Sequence, residues 1–166
     1  MIKKILIGLL IVLIIIQFIH PAKNLSADTS KDITTLFPMS DSVKTIIDKA
    51  CADCHSNKTV YPWYASIQPV GFWLADHVKD GKRHFNFNDF ASYKIAKQNH
   101  KLEEVIEQIK ENEMPLNSYT LIHKEAKLTD AEKATLINWC QNIMDTLKAT
   151  YPADSLILKR PPVATK

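Results

Sequence analysis

The stretch Cys51-Ala52-Asp53-Cys54-His55 places two cysteines three positions apart, with a histidine directly after the second. This is the spacing by which c-type haem is attached to protein. Two thiols so placed at a helix end reach the two vinyl groups of one porphyrin, and His55 then lies beneath the iron as its proximal ligand. With 3 cysteines and 6 histidines in 166 residues, about 0.002 such motifs are expected by chance. We therefore predict one covalently attached haem c.

Two other uses of a Cys-x-x-Cys pair fit the surrounding sequence less well. A thiol-disulfide motif of the thioredoxin type follows a β-strand in a βαβ unit, whereas the residues before Cys51 have a helical period. A zinc-stapled structural module without haem needs a second pair of ligands, and only Cys140 and scattered histidines remain. Cys140 lies on the apolar face of the last predicted helix, where we expect a buried small hydrophobe.

The sixth iron position decides between electron transfer and ligand chemistry. Met114 is the candidate, because it lies 59 residues after His55, follows a predicted helix and precedes Pro115. A Met/His pair raises the haem potential and leaves no open site for oxygen or peroxide. An isolated methionine at a helix end can also be simple apolar filling. The competing ligands are His77, His84, His100 and His123, and Met39 is set aside because it lies in a predicted tether.

Aromatic side chains follow the motif closely. We expect this cluster either to wall the haem on its proximal side, excluding water and raising the potential, or only to build the core. The polar tips of Tyr61 and Trp63, together with Arg83, are candidates for contact with the haem propionates. The cluster consists of Tyr61, Trp63, Tyr64, Phe72 and Trp73.

The N-terminal segment, residues 1–20, predicts export. Lys3 and Lys4 precede fifteen residues, 5–19, that are broken only by Gly8 and Gln17. As a helix they cover roughly 22 Å, short of the roughly 30 Å hydrocarbon core, so both a signal anchor and a cleaved signal peptide are open. A buried core helix is a third interpretation. Either export reading places the rest of the chain on the periplasmic side of a bacterial cytoplasmic membrane.

Composition and patterning predict a mainly α protein, with one helical domain after the hydrophobic helix. We expect a flexible tether over residues 21–39, the haem domain over 40–149 and a loosely ordered tail over 150–166. No Lys/Arg run exceeds two residues, and without Lys3 and Lys4 the remaining 19 basic side chains balance 18 acidic ones. Nucleic-acid binding is therefore not expected.

Five helices are predicted within the domain. Ser40 or Asp41 caps a helix that runs into Cys51, and Thr129 with Glu132 forms a capping box for a helix to about Ala149. A second helix starts at Pro69 and runs to about Val78, with Gly81 as its stop. The remaining two predicted helices cover about 88–98, capped by Asn88-Asp89, and about 102–113.

The chain resembles a family of extracytoplasmic haem-binding domains, small single-haem proteins related to class I cytochromes c. The resemblance covers roughly residues 40–148. It implies a helical cytochrome fold in which the first and last helices cross, with His55 and Met114 as axial ligands. Compared with ordinary class I cytochromes, the stretch between His55 and Met114 is rich in histidine and aromatics. The resemblance is carried by 51–56, 61–64, Pro69-Val70, 77–87, 113–116, Tyr119, His123 and 128–139.

These features predict a one-electron carrier that needs no catalytic group, docks an unidentified redox partner protein and meets the membrane through its N-terminal helix. The rival from the enzyme class is a peroxidase-like or ligand-sensing domain in which Met114 does not bind and the distal side admits a small molecule.

Overall fold

The computed structural model describes residues 1–158, which form a mainly helical protein. The only extended pairing among these residues is an isolated antiparallel bridge between Leu25 and Lys58. The chain divides into two compact units. The first contains residues 1–28 and 52–86, and the second contains residues 29–51 and 87–158. Residues 52–86 fall in the same unit as the N-terminal segment, and the haem domain over 40–149 stays a prediction.

The first unit is built from α1 (Ile2–Ile16), α3 (Ala52–His55), a 3-10 helix (Trp63–Ser66) and α4 (Val70–His84). Helix α1 has fifteen residues, as many as the predicted hydrophobic segment 5–19, but it begins and ends three positions earlier, and none of its residues is buried. Among residues 1–158, no helix combines the length and the apolar character needed to cross a bilayer. The 3-10 helix and α3 both pack on α4.

The second unit is built from α2 (Asp41–Ala50), α5 (Ile95–Lys110), α6 (Asn117–Thr120) and α7 (Asp130–Thr150). Short 3-10 helices cover Ile33–Thr35, Phe87–Ser92, Lys124–Ala126 and Ala153–Ser155. Helix α7 packs against both α2 and α5. The core between them consists of Val43, Ile46, Ile47, Leu102, Ile106, Ile109, Leu136, Cys140, Ile143, Met144 and Leu147.

The two strongest helix predictions are confirmed. The Ser40 side chain accepts a hydrogen bond from the Val43 amide and begins α2. Thr129 accepts from the Glu132 amide while the Glu132 carboxylate accepts from the Thr129 amide, so the predicted capping box begins α7. These ends were predictable because a cap depends only on residues three positions apart.

The other three helix predictions are wrong in their bounds. Helix α4 continues through Gly81 to His84, so this glycine does not stop the helix. The predicted helices 88–98 and 102–113 are replaced by the 3-10 helix Phe87–Ser92 and a single α5. Asn88 does not cap a helix, because its side-chain amide donates to the Asp32 carboxylate at 2.6 Å.

The segment predicted as a tether, 21–39, makes specific contacts in each unit. In the first unit, the Asn24 side chain donates to the Ser56 carbonyl and the Thr59 hydroxyl. In the second, Ile33 is completely buried and Trp139 donates to the Pro38 carbonyl at 3.1 Å. The polar, aperiodic composition did not reveal these contacts, since their partners are distant in sequence. Of the predicted tail 150–166, residues 159–166 lie outside the described residues.

Candidate functional site

Cys51 ends helix α2. Its amide still donates to the Ile47 carbonyl at 2.9 Å, but its own backbone, with φ −129° and ψ −39°, leaves the helical region. The residue before it, Ala50, is buried, whereas the Cys51 side chain is half-buried. The first thiol of the motif therefore lies at a helix end, as predicted.

Helix α3 is a single turn that carries Cys54 and His55. The Asp53 carboxylate accepts from the Val60 amide at 2.9 Å, and the Thr59 hydroxyl donates to the Asp53 carbonyl at 2.6 Å. Burial, with a smaller contribution from the neighbouring Asp53 charge, raises the pKa of the Cys54 thiol to about 11. This thiol is therefore protonated at neutral pH.

The His55 imidazole is oriented by helix α4. Its Nδ1 lies 2.9 Å from the Phe85 carbonyl oxygen, at the residue that ends α4. A carbonyl only accepts, so Nδ1 carries the hydrogen and the Nε2 lone pair is the position that can bind a metal. Burial lowers the pKa of His55, while the Phe85 and Gly81 carbonyls act in the opposite direction. The result is an oriented, neutral imidazole of the kind a metal binds.

Gly81 allows α4 to approach the motif closely. A Cβ at this position would lie 2.6 Å from the Cys54 carbonyl oxygen and 3.0 Å from the Cys54 Cβ. Real Cβ atoms essentially never come this close to backbone, so any other residue would push α3 away from α4. Gly81 is needed for packing rather than for ending the helix.

The turn after the motif is held by two asparagines. Asn24 donates through its side chain to Ser56 and accepts from Lys82 at 2.7 Å. Asn57 is buried, donates to the Asp28 carbonyl at 2.9 Å and accepts from Asn86 at 2.8 Å. Sequence reasoning missed both, since nothing in the local pattern distinguishes them from surface asparagines.

Met114 follows the end of α5 directly. Asn112 has a left-handed backbone, φ 61°, and its amide donates to the Ile109 carbonyl. The next amide, of Glu113, donates to the Gln108 carbonyl at 3.0 Å, which completes a Schellman cap. The Met114 amide donates to the same oxygen at 3.2 Å, and the side chain is half-buried. A defined helix end therefore fixes the Met114 backbone.

The histidines that compete with Met114 have other partners. His77 donates through Nδ1 to the Trp73 carbonyl at 2.9 Å. His100 lies 3.0 Å from the Glu104 carboxylate, and His84 is exposed. His123 lies 3.3 Å from the Glu125 carboxylate and stacks on the Tyr119 ring at a centroid distance of 4.4 Å. To bind iron, His100 and His123 would have to leave these carboxylate contacts.

Comparison with family models matches residues 11–142 to the haem-binding domain family. The chain belongs to the haem-binding domain family. Haem and its iron are therefore the cofactor that this helical protein binds. No curated protein and no solved structure matches the chain. Within residues 1–158, no three His, Cys, Asp or Glu side chains are placed to hold a metal ion together.

The donor set fits the cofactor of this haem-binding domain. A haem needs only one or two axial protein ligands, and the neutral His55 imidazole offers its Nε2 for one of them. Cys51 and Cys54 are half-buried thiols, which leaves both partly accessible. The motif residues are thus compatible with haem both by residue type and by the hydrogen bond that orients His55.

The aromatic residues predicted near the haem have mixed surroundings. The Tyr61 hydroxyl accepts from the Asn24 amide at 2.7 Å, and Trp63 is 79% exposed with its ring edge on Tyr64. Trp73 is 44% exposed, and Arg83 pairs with Asp80 at 3.1 Å on the surface. The proposed contacts of Tyr61 and Trp63 with the propionates stay predictions.

The close approach of Gly81 gives a stability prediction. Gly81→Ala should lower the free energy of unfolding by about 1–3 kcal/mol, because the new methyl group meets the Cys54 backbone. Gly8→Ala is the matched control. Gly8 lies in α1, and nothing lies within 4 Å of the position that its Cβ would take. Chemical unfolding followed by circular dichroism measures both. Equal stability of the two variants would show that α3 and α4 can separate at no cost.

The left-handed Asn112 gives a second prediction. Asn112→Val should be about 1–2 kcal/mol less stable than Asn112→Gly, because a β-branched residue is strained at φ 61° whereas glycine is not. Both variants lose the hydrogen bond from Lys133 to the Asn112 side chain. The difference between their free energies of unfolding therefore reports the backbone strain alone. Urea unfolding of the pair would measure it, and equal midpoints would contradict the assigned cap.

Proposed function

We propose that the chain is a single-haem c-type cytochrome that carries one electron at a time at the outer face of a bacterial cytoplasmic membrane. Cys51 and Cys54 would hold the haem covalently, and His55 would be the proximal iron ligand. The single observation that carries this proposal is the Cys51 to His55 motif with its imidazole oriented by the Phe85 carbonyl. Membership of a haem-binding family supports the choice of cofactor.

The two cysteines make the attachment irreversible. Cys51 and Cys54 would each add their S–H bond across one vinyl double bond of the haem, which would form a carbon–sulfur bond, place the hydrogen on the adjacent carbon and consume no oxidant. The α2 end places Cys51, and the α3 turn packed against Gly81 places Cys54. Covalent attachment would keep the cofactor on an exported protein that cannot replace it.

The residues around His55 supply orientation rather than catalysis. The bound haem supplies a metal centre that takes up and releases one electron without bond changes. The Phe85 carbonyl holds the Nδ1 hydrogen of His55, which raises the basicity of Nε2 and fixes the ring. Met114, placed by the Schellman cap of α5, is the proposed sixth ligand, and its thioether would favour the reduced state.

The proposed location rests on the N-terminal segment. Lys3 and Lys4 would keep the N-terminus in the cytoplasm, and the apolar residues of α1 would lead the rest of the chain outward. We propose that α1 remains attached to the membrane as an anchor. A redox partner protein would then dock on the haem-bearing part of the chain at the membrane surface.

The test is the spectrum of full-length protein matured with haem-attachment machinery in the periplasm. We expect haem that resists acidic organic extraction, a mass increase of one haem and a low-spin spectrum. The reduced protein should bind carbon monoxide only slowly. Exported protein without covalent iron porphyrin would overturn the proposal. Covalent haem with a high-spin spectrum and rapid carbon monoxide binding would replace electron transfer with small-ligand chemistry.

A further inference from the structure

The first unit exposes four large apolar side chains close together in sequence. Trp63 is 79% exposed, Trp73 is 44% exposed, and Ile67 and Val70 are 46% and 39% exposed. We call these residues the Trp63/Trp73 patch. Val70 and Trp73 are three positions apart on α4 and share a face, and the 3-10 helix that begins at Trp63 packs on α4. Clustered exposed apolar residues of this kind mark interaction surfaces.

The patch is fastened to the end of α1 by a pair of glutamines. The Gln17 side chain donates to the Gln68 carbonyl at 3.0 Å and accepts from the Gln68 amide at 2.9 Å. The Gln68 side chain donates to the Ile19 carbonyl at 3.1 Å and is 97% buried, with an exposed fraction of 3%. Because Gln68 follows Ile67 and lies two residues before Val70, these bonds fix the patch beside the point where α1 ends.

Helix α1 itself indicates what covers this region. It is apolar on all sides after Lys3 and Lys4, and none of its residues is buried. A helix of this kind is stable only inside an apolar medium. Its fifteen residues span about 22 Å, about 8 Å less than a hydrocarbon core. Phe18 and Ile19, 81% and 54% exposed, continue the apolar surface from the helix end toward the patch.

Cationic and aromatic side chains at the helix end match the headgroup region of a bilayer. A cavity of about 380 Å³ there is lined by His20, Lys23 and Tyr61 together with mostly small or apolar residues. The Lys23 ammonium lies 5.5 Å from the centre of the Tyr61 ring. Cationic and aromatic side chains at the end of an apolar helix are typical of the membrane interface, where tryptophan is also enriched.

We infer that the Trp63/Trp73 patch lies in the interfacial layer of the phospholipid bilayer that receives α1. The hydrogen bonds between Gln17 and Gln68 would join α1 to the rest of the first unit, which includes His55, so that the whole unit is held at the membrane. The inference rests on the part of the proposed function that places α1 in the membrane, and it does not depend on covalent haem. It adds a second membrane contact that fixes the orientation of the haem ligand relative to the lipid surface.

The test uses full-length haem-loaded protein, one chain per nanodisc of phosphatidylethanolamine and phosphatidylglycerol, with hydroxyl-radical footprinting read by mass spectrometry. Rates are corrected for intrinsic reactivity and exposed area. Leu121 and Ile122, 76% and 58% exposed in the second unit, are the internal reference. We expect Trp63 and Ile67 to react about fivefold or more slowly than this reference. Equal corrected rates would overturn the inference.

A variant with Ile67→Ser and Val70→Ser supplies the second arm, since neither residue is a candidate for contact with the haem. It should keep its haem spectrum and stay with the nanodisc through α1, while Trp63 becomes about threefold or more reactive. Unchanged protection of Trp63 in this variant would contradict insertion of the patch into the bilayer interface. Protection seen only with two chains per disc would assign the patch to a second copy instead. Wild-type protein that does not stay with nanodiscs would refute the anchor itself, a result distinct from a reactive patch on anchored protein.

Discussion

Cys54→Ala should lower the covalently bound haem of exported protein about tenfold or more. Without this sulfur only Cys51 can form a thioether, and the α3 turn keeps only the bond from His55 to the iron. The measurement is haem staining of a denaturing gel, normalised to protein, with intact mass. The pyridine haemochrome of the residual haem should shift, since one vinyl group stays unsaturated.

Cys140→Ala is the matched control for this prediction. Cys140 is completely buried on α7, and burial, with a smaller contribution from Cys51, raises its pKa to about 12. A buried protonated thiol is chemically inert, so its removal should cost about 1 kcal/mol of stability as a small cavity and leave the haem content unchanged. A colourless Cys140→Ala protein, or a Cys54→Ala protein with full covalent haem, would contradict the assignment.

The parts of the fold that the sequence predicted well are those that depend on neighbouring residues. Helices α2 and α7 have caps and apolar faces within one or two turns, so Ser40 and Thr129 identified their starts. The motif itself is local for the same reason. The physical basis is that a cap or an amphipathic face is decided by residues three or four positions apart.

The parts that were predicted wrongly or missed depend on contacts between distant residues. Gly81 looked like a helix stop, but its role is to meet Cys54, 27 residues earlier. Asn24 looked like part of a tether, but it bonds to Ser56 and Lys82. The hydrogen bond from His55 to Phe85 likewise joins residues 30 positions apart. No periodicity or propensity encodes such pairs.

Asn112 is an intermediate case. The sequence identified Met114 from the haem motif and the following proline, but it did not identify the left-handed residue two positions earlier. Asparagine is among the few residues that adopt this conformation readily, so its place after a predicted helix was a usable signal. With that signal, the end of α5 at Lys110 would have replaced the predicted end near Glu113.

Met114→Leu should abolish the ferric charge-transfer band that is typical of sulfur ligation. Leucine keeps the volume of the half-buried side chain and lacks the thioether, so the change removes a ligand with little effect on packing. The open sixth position should then bind cyanide or carbon monoxide readily. The reduction potential should fall, because the thioether ligand that stabilises the reduced iron is lost. Absorption spectroscopy and a redox titration of full-length holoprotein measure these effects.

Met144→Leu is the control. Met144 lies on α7, is 4% exposed, and undergoes the same exchange of a thioether for a branched alkyl side chain. It should keep the charge-transfer band and the potential of the parent protein. If Met114→Leu also kept them, the sixth ligand would be another residue, and His123→Ala would be the next variant to compare. That outcome would require His123 to leave the Glu125 carboxylate and the Tyr119 ring, whereas Met114 already follows a cap that holds its backbone.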